Sequence, residues 1–182
     1  YSSQPENFIR KLYSFGLGEP LQIKLEGERD PYIKHYKDSS WSGISLPWIS
    51  YGYETEMTPM QILAFYNAVA NNGRVVRPVF VKEIRHNGQL IRSFPTEIIR
   101  DSIASAVALA KVRKMMEGVV ERGTASVLNT SPYKIAGKTG TAQLGMRKQV
   151  DGTVLMAYQA SFAGYFPADH PKYSCIVVVN AP

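Results

Sequence analysis

The closing stretch of the chain restricts the fold more than any other feature. Two runs rich in β-branched and aromatic residues, "AYQASFAGYF" (157–166) and "KYSCIVVVN" (172–180), are separated only by "PADHP" (167–171). Parallel neighbours need a crossover of about a dozen residues or more, so this short link predicts an antiparallel pair. A third strand candidate, "YKIAGKTGTAQ" (133–143), lies just upstream. Helical patterns precede all three. Helices first and a strand group last, without βαβ alternation, predict an α+β fold: an antiparallel sheet packed with helices, not a doubly wound one.

Phe8, Ile9, Leu12 and Phe15 recur at helical spacing, and Gly16 is placed to end that turn. A polar stretch from Glu26 to about Ser45 reads as loop, its Glu26, Glu28 and Asp30 as surface carboxylates rather than an acid pair. In "TPMQILAFYNAVANNG", Thr58 is a suitable N-cap, Pro59 fits the first helical position and Gln61 completes a capping box. Ile62, Phe65, Tyr66 and Val69 form the expected apolar face, and Gly73 the stop. Asn87-Gly88 predicts a type I′ hairpin turn. A second long helix is expected from Ser102 to Arg122, buried through Ile103, Val107, Ala110, Met116 and Val120 and ended by Gly123.

A length of 182 residues suits one domain with a real core. The net charge of +6 is spread among acids, without the clustered basic stripe of a nucleic-acid binder. No run is long enough to span a bilayer, and "YSSQPENF" is no signal peptide, so any membrane attachment is expected through a segment outside this chain. His35, His86 and His170 lie in separate polar contexts without metal-ligand spacing. Cys175, inside "CIVVV", reads as a buried small hydrophobe. No cofactor or metal is expected.

"KIAGKTGTAQ" (134–143) admits two chemistries. Gly-Lys-Thr belongs to phosphate loops, but their first glycine would fall at Pro132, which has no N–H, and no helical pattern follows. Lys-Thr-Gly on an edge strand suits an acyl-transfer site. Alternation there aims Lys138 and Gly140 to one face and Thr139 and Thr141 to the other. A glycine in a strand often marks close approach by another backbone. Hydroxyls can bind a carboxylate, an ammonium supplies positive potential, and a backbone N–H can polarise a carbonyl.

"AGKTGTAQ" followed by "SFAGYFPADHPKYSCIVVVNAP" resembles the transpeptidase domain of class B penicillin-binding proteins. "SYGYETEMTPMQILAFYNAVANNGRVVRP", "VVERGTAS" and "GLGEPLQIKLEGE" extend the likeness upstream in family order, closer to division-type than elongation-type members. The resemblance implies a serine D,D-transpeptidase that cross-links peptidoglycan. Its partners would be the D-Ala-D-Ala stem peptide, β-lactams and cell-division or cell-wall synthesis proteins, on the periplasmic or extracytoplasmic face of an inner membrane. It also implies that Lys138 serves the proton network of the S-x-N serine. Thr139, Gly140 and Thr141 would line the carboxylate site, and the Thr141 N–H would form half of an oxyanion hole.

Two family elements are missing. The only S-x-x-K match is Ser131-Pro132-Tyr133-Lys134, seven residues before Lys138, where the family keeps the motifs far apart; Ser131 is rejected as nucleophile. No S-x-N occurs. The chain is therefore expected to be the C-terminal part of a transpeptidase domain, inactive alone, with its nucleophile upstream. The alternatives are a non-catalytic β-lactam sensor or binding module, and a serine β-lactamase.

Overall fold

Thr58 opens a helix with a complete capping box. In this computed structural model, which describes residues 4–23, 26–148 and 153–180, the chain divides into two compact units, Tyr1–Ser105 and Ala106–Pro182.

The first unit holds α1 (Pro5–Ser14), β1 (Tyr32–Ile33), α2 (Ser45–Ser50), β2 (Thr55–Glu56), α3 (Pro59–Ala70), β3 (Val75–Val76), β4 (Glu83–His86), β5 (Gln89–Ser93) and β6 (Ile98–Arg100). The α3 capping box is complete: Thr58 Oγ1 accepts the Gln61 N–H at 3.2 Å, and Gln61 Oε1 accepts the Thr58 N–H at 2.8 Å. The buried stripe of α3 differs from the expected one. Gln61, Ala64, Ala68 and Val69 are buried, whereas Ile62, Phe65 and Tyr66 are half-buried. Small alanines let neighbouring chain come close, and Gln61 spends its amide on the Arg29 carbonyl at 3.0 Å.

A short helix, α2, begins where the expected loop from Glu26 to about Ser45 ends. α2 tolerates Pro47 because it falls in the first turn, where no intrahelical donor is required. Its Ile49 joins Ile9 and Ile33 in one core cluster, flanked by Leu12 and Trp41. Glu28 is no free surface acid either: its carboxylate accepts the N–H groups of Leu21 at 2.6 Å and Ile23 at 2.9 Å. The expected hairpin forms as β4–β5, with Asn87 at φ 48° and Gly88 at φ 81°, the signs a type I′ turn demands.

The second unit comprises α4 (Ala106–Glu121), a 3-10 turn (Ser126–Thr130), β7 (Ala136–Lys148), β8 (Val154–Phe166) and β9 (Tyr173–Asn180). Helix α4 begins four residues later than expected from Ser102. Leu109, Met116 and Val120 are its buried residues; Val107 and Ala110 are exposed, and Ile103 is buried ahead of the helix, its N–H on the Gly73 carbonyl at 3.0 Å. The three strands pair antiparallel in the order β7-β8-β9, and α4 packs against β7. The α+β class, with the Lys-Thr-Gly strand and the last two strands in one antiparallel sheet, is as expected. Strand β9 lies beside only Gln159–Phe166 of β8. Beyond it β7 and β8 continue as a two-stranded arm, with a register shift between Gln143 and Gly145. Segment 149–152, within the stretch read as non-helical, lies outside the described residues.

Candidate functional site

Strand β7 is a sheet edge: among the described strands it pairs with β8 alone. Lys138 stands opposite Ala163, Thr139 opposite Phe162, Gly140 opposite Ser161 and Thr141 opposite Ala160. The register therefore keeps Lys138 and Gly140 on one face and Thr139 and Thr141 on the other. Lys138 and Thr141 are exposed, Thr139 and Gly140 half-buried, so all four designated residues gather at one accessible strand.

The lysine is hooked onto the strand itself, its Nζ donating to the Thr139 carbonyl at 2.5 Å. In an antiparallel strand the N–H and C=O of one residue aim at the same edge, and residues two apart share it. The amide of Thr141 thus faces the same edge as the Thr139 carbonyl. Thr139 Oγ1 lies 2.7 Å from Thr124 Oγ1, which follows α4. Thr124 sits within "VVERGTAS", but nothing in a separation of 15 residues reveals a hydroxyl pair in advance.

A Cβ at Gly140 would meet the Ser161 hydroxyl at 2.6 Å, not another backbone. The close backbone approaches are at Gly137, 2.9 Å from the Ala163 carbonyl oxygen, and at Gly164, 2.5 Å from that of Ala136. The Phe162 ring lies across both glycines, 2.3 Å from the first such Cβ and 2.9 Å from the second. Ala136 at the start of β7 and Ala163 and Tyr165 on the neighbouring β8 are buried. Burial pushes the Tyr165 phenol up to about 12, with Arg113 pulling it down and Glu117 up, and its hydroxyl has no hydrogen-bond partner among the described residues.

Gly137-Lys138-Thr139 lies inside a strand that continues to Lys148, so no helix N-terminus follows for a phosphate. Ser131 caps the end of a 3-10 turn with extended backbone (φ −64°, ψ 143°), and its Oγ accepts the Tyr133 N–H at 3.2 Å; no helix carries Lys134 one turn onward. Cys175 is half-buried rather than buried, and desolvation raises its thiol pKa, which disfavours the nucleophilic thiolate. His35 stacks on Tyr36, while His86 and His170 are exposed. Among the described residues no cluster of His, Cys, Asp and Glu could hold a metal, and no helix is long and apolar enough to cross a membrane.

The model of the family described as "Penicillin binding protein transpeptidase domain" matches residues 3–182. The chain is 33% identical over 190 residues to penicillin-binding protein PbpB of Mycolicibacterium smegmatis, covering 98% of this chain and 28% of that protein. It is 31% identical to the peptidoglycan D,D-transpeptidase FtsI of Escherichia coli K12, covering 99% of this chain and 28% of the relative. The crystal structure of penicillin binding protein 3 from Mycobacterium tuberculosis complexed with ampicillin superposes with a TM-score of 0.78 at 29% identity, covering 97% of this chain and 40% of that one. This chain thus spans less than a third of the curated relatives it matches. With the strand order, the Lys-Thr-Gly edge and a match along nearly its whole length, it belongs to the penicillin-binding protein transpeptidase family, class B.

Proposed function

We propose that this chain supplies the substrate-binding strand of a peptidoglycan D,D-transpeptidase working by serine acyl transfer. One observation carries the reading. Lys138, Thr139, Gly140 and Thr141 share an exposed edge strand whose outer side no described strand occupies. An extended peptide can add to such an edge through main-chain hydrogen bonds, as β-augmentation requires.

In this reading the Thr139 and Thr141 hydroxyls bind the terminal carboxylate of a D-Ala-D-Ala stem peptide, or that of a β-lactam. Gly140 keeps the strand narrow between them. Lys138 adds positive potential and joins the proton network of an S-x-N serine. The Thr141 N–H, on the same edge as the Thr139 carbonyl, polarises the scissile carbonyl as half of an oxyanion hole. The nucleophilic serine belongs to a part of the protein outside this sequence, so residues 1–182 are the C-terminal part of the transpeptidase domain and form no acyl-enzyme alone. The FtsI relatives favour a division role, alongside division or wall-synthesis proteins. The site of action would be the extracytoplasmic face of the inner membrane, reached through an anchor outside this chain.

The test is covalent labelling of the full-length protein with a fluorescent penicillin, followed by peptide mapping. The label should sit on a serine outside these residues, and Lys138→Ala should slow labelling by about 10²-fold or more. Label on Ser131, or an unchanged rate in Lys138→Ala, would sink the reading. Rapid nitrocefin turnover would instead mark a hydrolase.

A further inference from the structure

We infer that Thr124 is a positioning residue for Thr139, fixing the direction in which that hydroxyl gives its proton; this rests on reading β7 as a carboxylate-binding strand.

Thr124 is held from both sides. Gly123 passes so close to α4 that a Cβ there would lie 2.8 Å from Val119 Cα and 2.9 Å from its carbonyl oxygen. Ala125 is buried, and its N–H donates to the Val119 carbonyl at 3.0 Å. Between these anchors only the Thr124 side chain projects, and its Oγ1 reaches Thr139 Oγ1 at 2.7 Å, an ordinary O–H···O distance. The turn after α4 is thereby tied to the first part of β7.

Each hydroxyl has one proton and two lone pairs, so one member of the pair must donate to the other. If Thr139 donates to Thr124, it shows a ligand only lone pairs and repels a carboxylate. With Thr124 as donor, the Thr139 proton is free to meet the anion. An arriving carboxylate selects the second arrangement, and the chain Thr124 O–H to Thr139 O–H to carboxylate is polarised along its length. Thr124 touches no substrate in this scheme; it acts through Thr139. A valine keeps its shape and loses the proton, while a serine keeps the proton.

The experiment measures second-order acylation rate constants of the full-length protein with benzylpenicillin and with its methyl ester, which lacks the anionic carboxylate. Thr124→Val should slow the acid about tenfold, as expected for losing one hydrogen bond in a chain ending on a charge. Thr124→Ser should stay within about twofold of wild type, and the ester should be nearly indifferent to either change. A merely structural role would slow acid and ester alike and lower the melting temperature; that result, or an unchanged Thr124→Val, overturns the inference. If the valine variant does not fold, Thr124→Ala is read by the same criteria. Thr139→Val separates the two levels. If it leaves the acid unaffected, the carboxylate reading of β7 fails; if it alone is impaired, only the role of Thr124 fails.

Discussion

Consider Gly137→Ala, a single methyl group added one residue before Lys138. Built on the existing backbone, that methyl lies 2.3 Å from Phe162 Cζ, 2.7 Å from Cε2 and 2.9 Å from the Ala163 carbonyl oxygen. Carbon atoms rest at about 3.5–4.0 Å, so the ring must retreat by more than about 1 Å. It has no free direction along the sheet, because the same ring already covers Gly164, where a Cβ would lie 2.9 Å from Cε1. The Ala163 carbonyl belongs to the residue opposite Lys138 and cannot move without disturbing the ladder. Overpacking of this kind costs about 1–3 kcal/mol. Expressed in the opening of β7 from β8, that is a loss of protection of about 5- to 150-fold. Hydrogen exchange on peptides covering 136–143 and 157–166 of the full-length protein reads it directly. Unchanged protection in Gly137→Ala would refute the steric argument. So would strict additivity in the double variant with Phe162→Leu, since a smaller side chain should take back part of the cost.

Two further outcomes follow from titratable groups whose pKa values the fold shifts. Tyr165 has its pKa raised from 10.0 to about 12 by burial, so the stability of its neutral form is complete below pH 10.0 and is lost as pH climbs toward about 12. Tyr165→Phe should therefore shrink alkaline destabilisation in that window. At neutral pH it should melt no lower than wild type, with up to about 1 kcal/mol gained by deleting an unsatisfied hydroxyl; a markedly lower melting temperature would contradict this. Glu54, at φ 56°, accepts from the Lys34 ammonium at 2.7 Å, and that hydrogen bond holds its carboxyl below the ordinary 4.5. Its contribution is present above that value and fades as pH falls through the depressed one. Glu54→Gln should lower amide protection of Tyr32–Ile33 and Thr55–Glu56 at neutral pH and lose its effect in acid; equal protection in variant and wild type at neutral pH would argue against a stabilising pair.

What could be read in advance was whatever depends on local chemistry. The capping box at Thr58 and Gln61, the Asn87-Gly88 turn and the antiparallel closing strands are all set by residues a few positions apart, and all three form. The faces of the helices were read less well. Val107 fits an apolar stripe yet is exposed, and Leu109 takes its place, because rotation of a helix is decided by what it packs against. Helix α2 holds Pro47, a breaker in a helix interior but harmless in a first turn. The faces on which Lys138, Thr139, Gly140 and Thr141 lie along β7 were legible because strand alternation is a local rule. Thr124 was not: a hydroxyl pair closing over 15 residues exists only once α4 has fixed where its last turn ends.

The length mismatch between β9 and its neighbours has a mechanical consequence. Lys138–Thr141 lie opposite Ala160–Ala163, and those residues are backed in turn by Ile176–Val179, so this part of β7 is braced across the full width of the sheet. Past Ala142 and Gln159, opposite Asn180, the arm has one ladder among the described residues, and Gly145 sits in it at φ 93°. Bending stiffness drops where the third strand ends, just before the register shift between Gln143 and Gly145, so this is where a load on the arm is absorbed. A molecule pressing on the arm would turn it near Gly145 and leave the Lys-Thr-Gly-Thr edge in register, so that edge is insulated from whatever the arm meets.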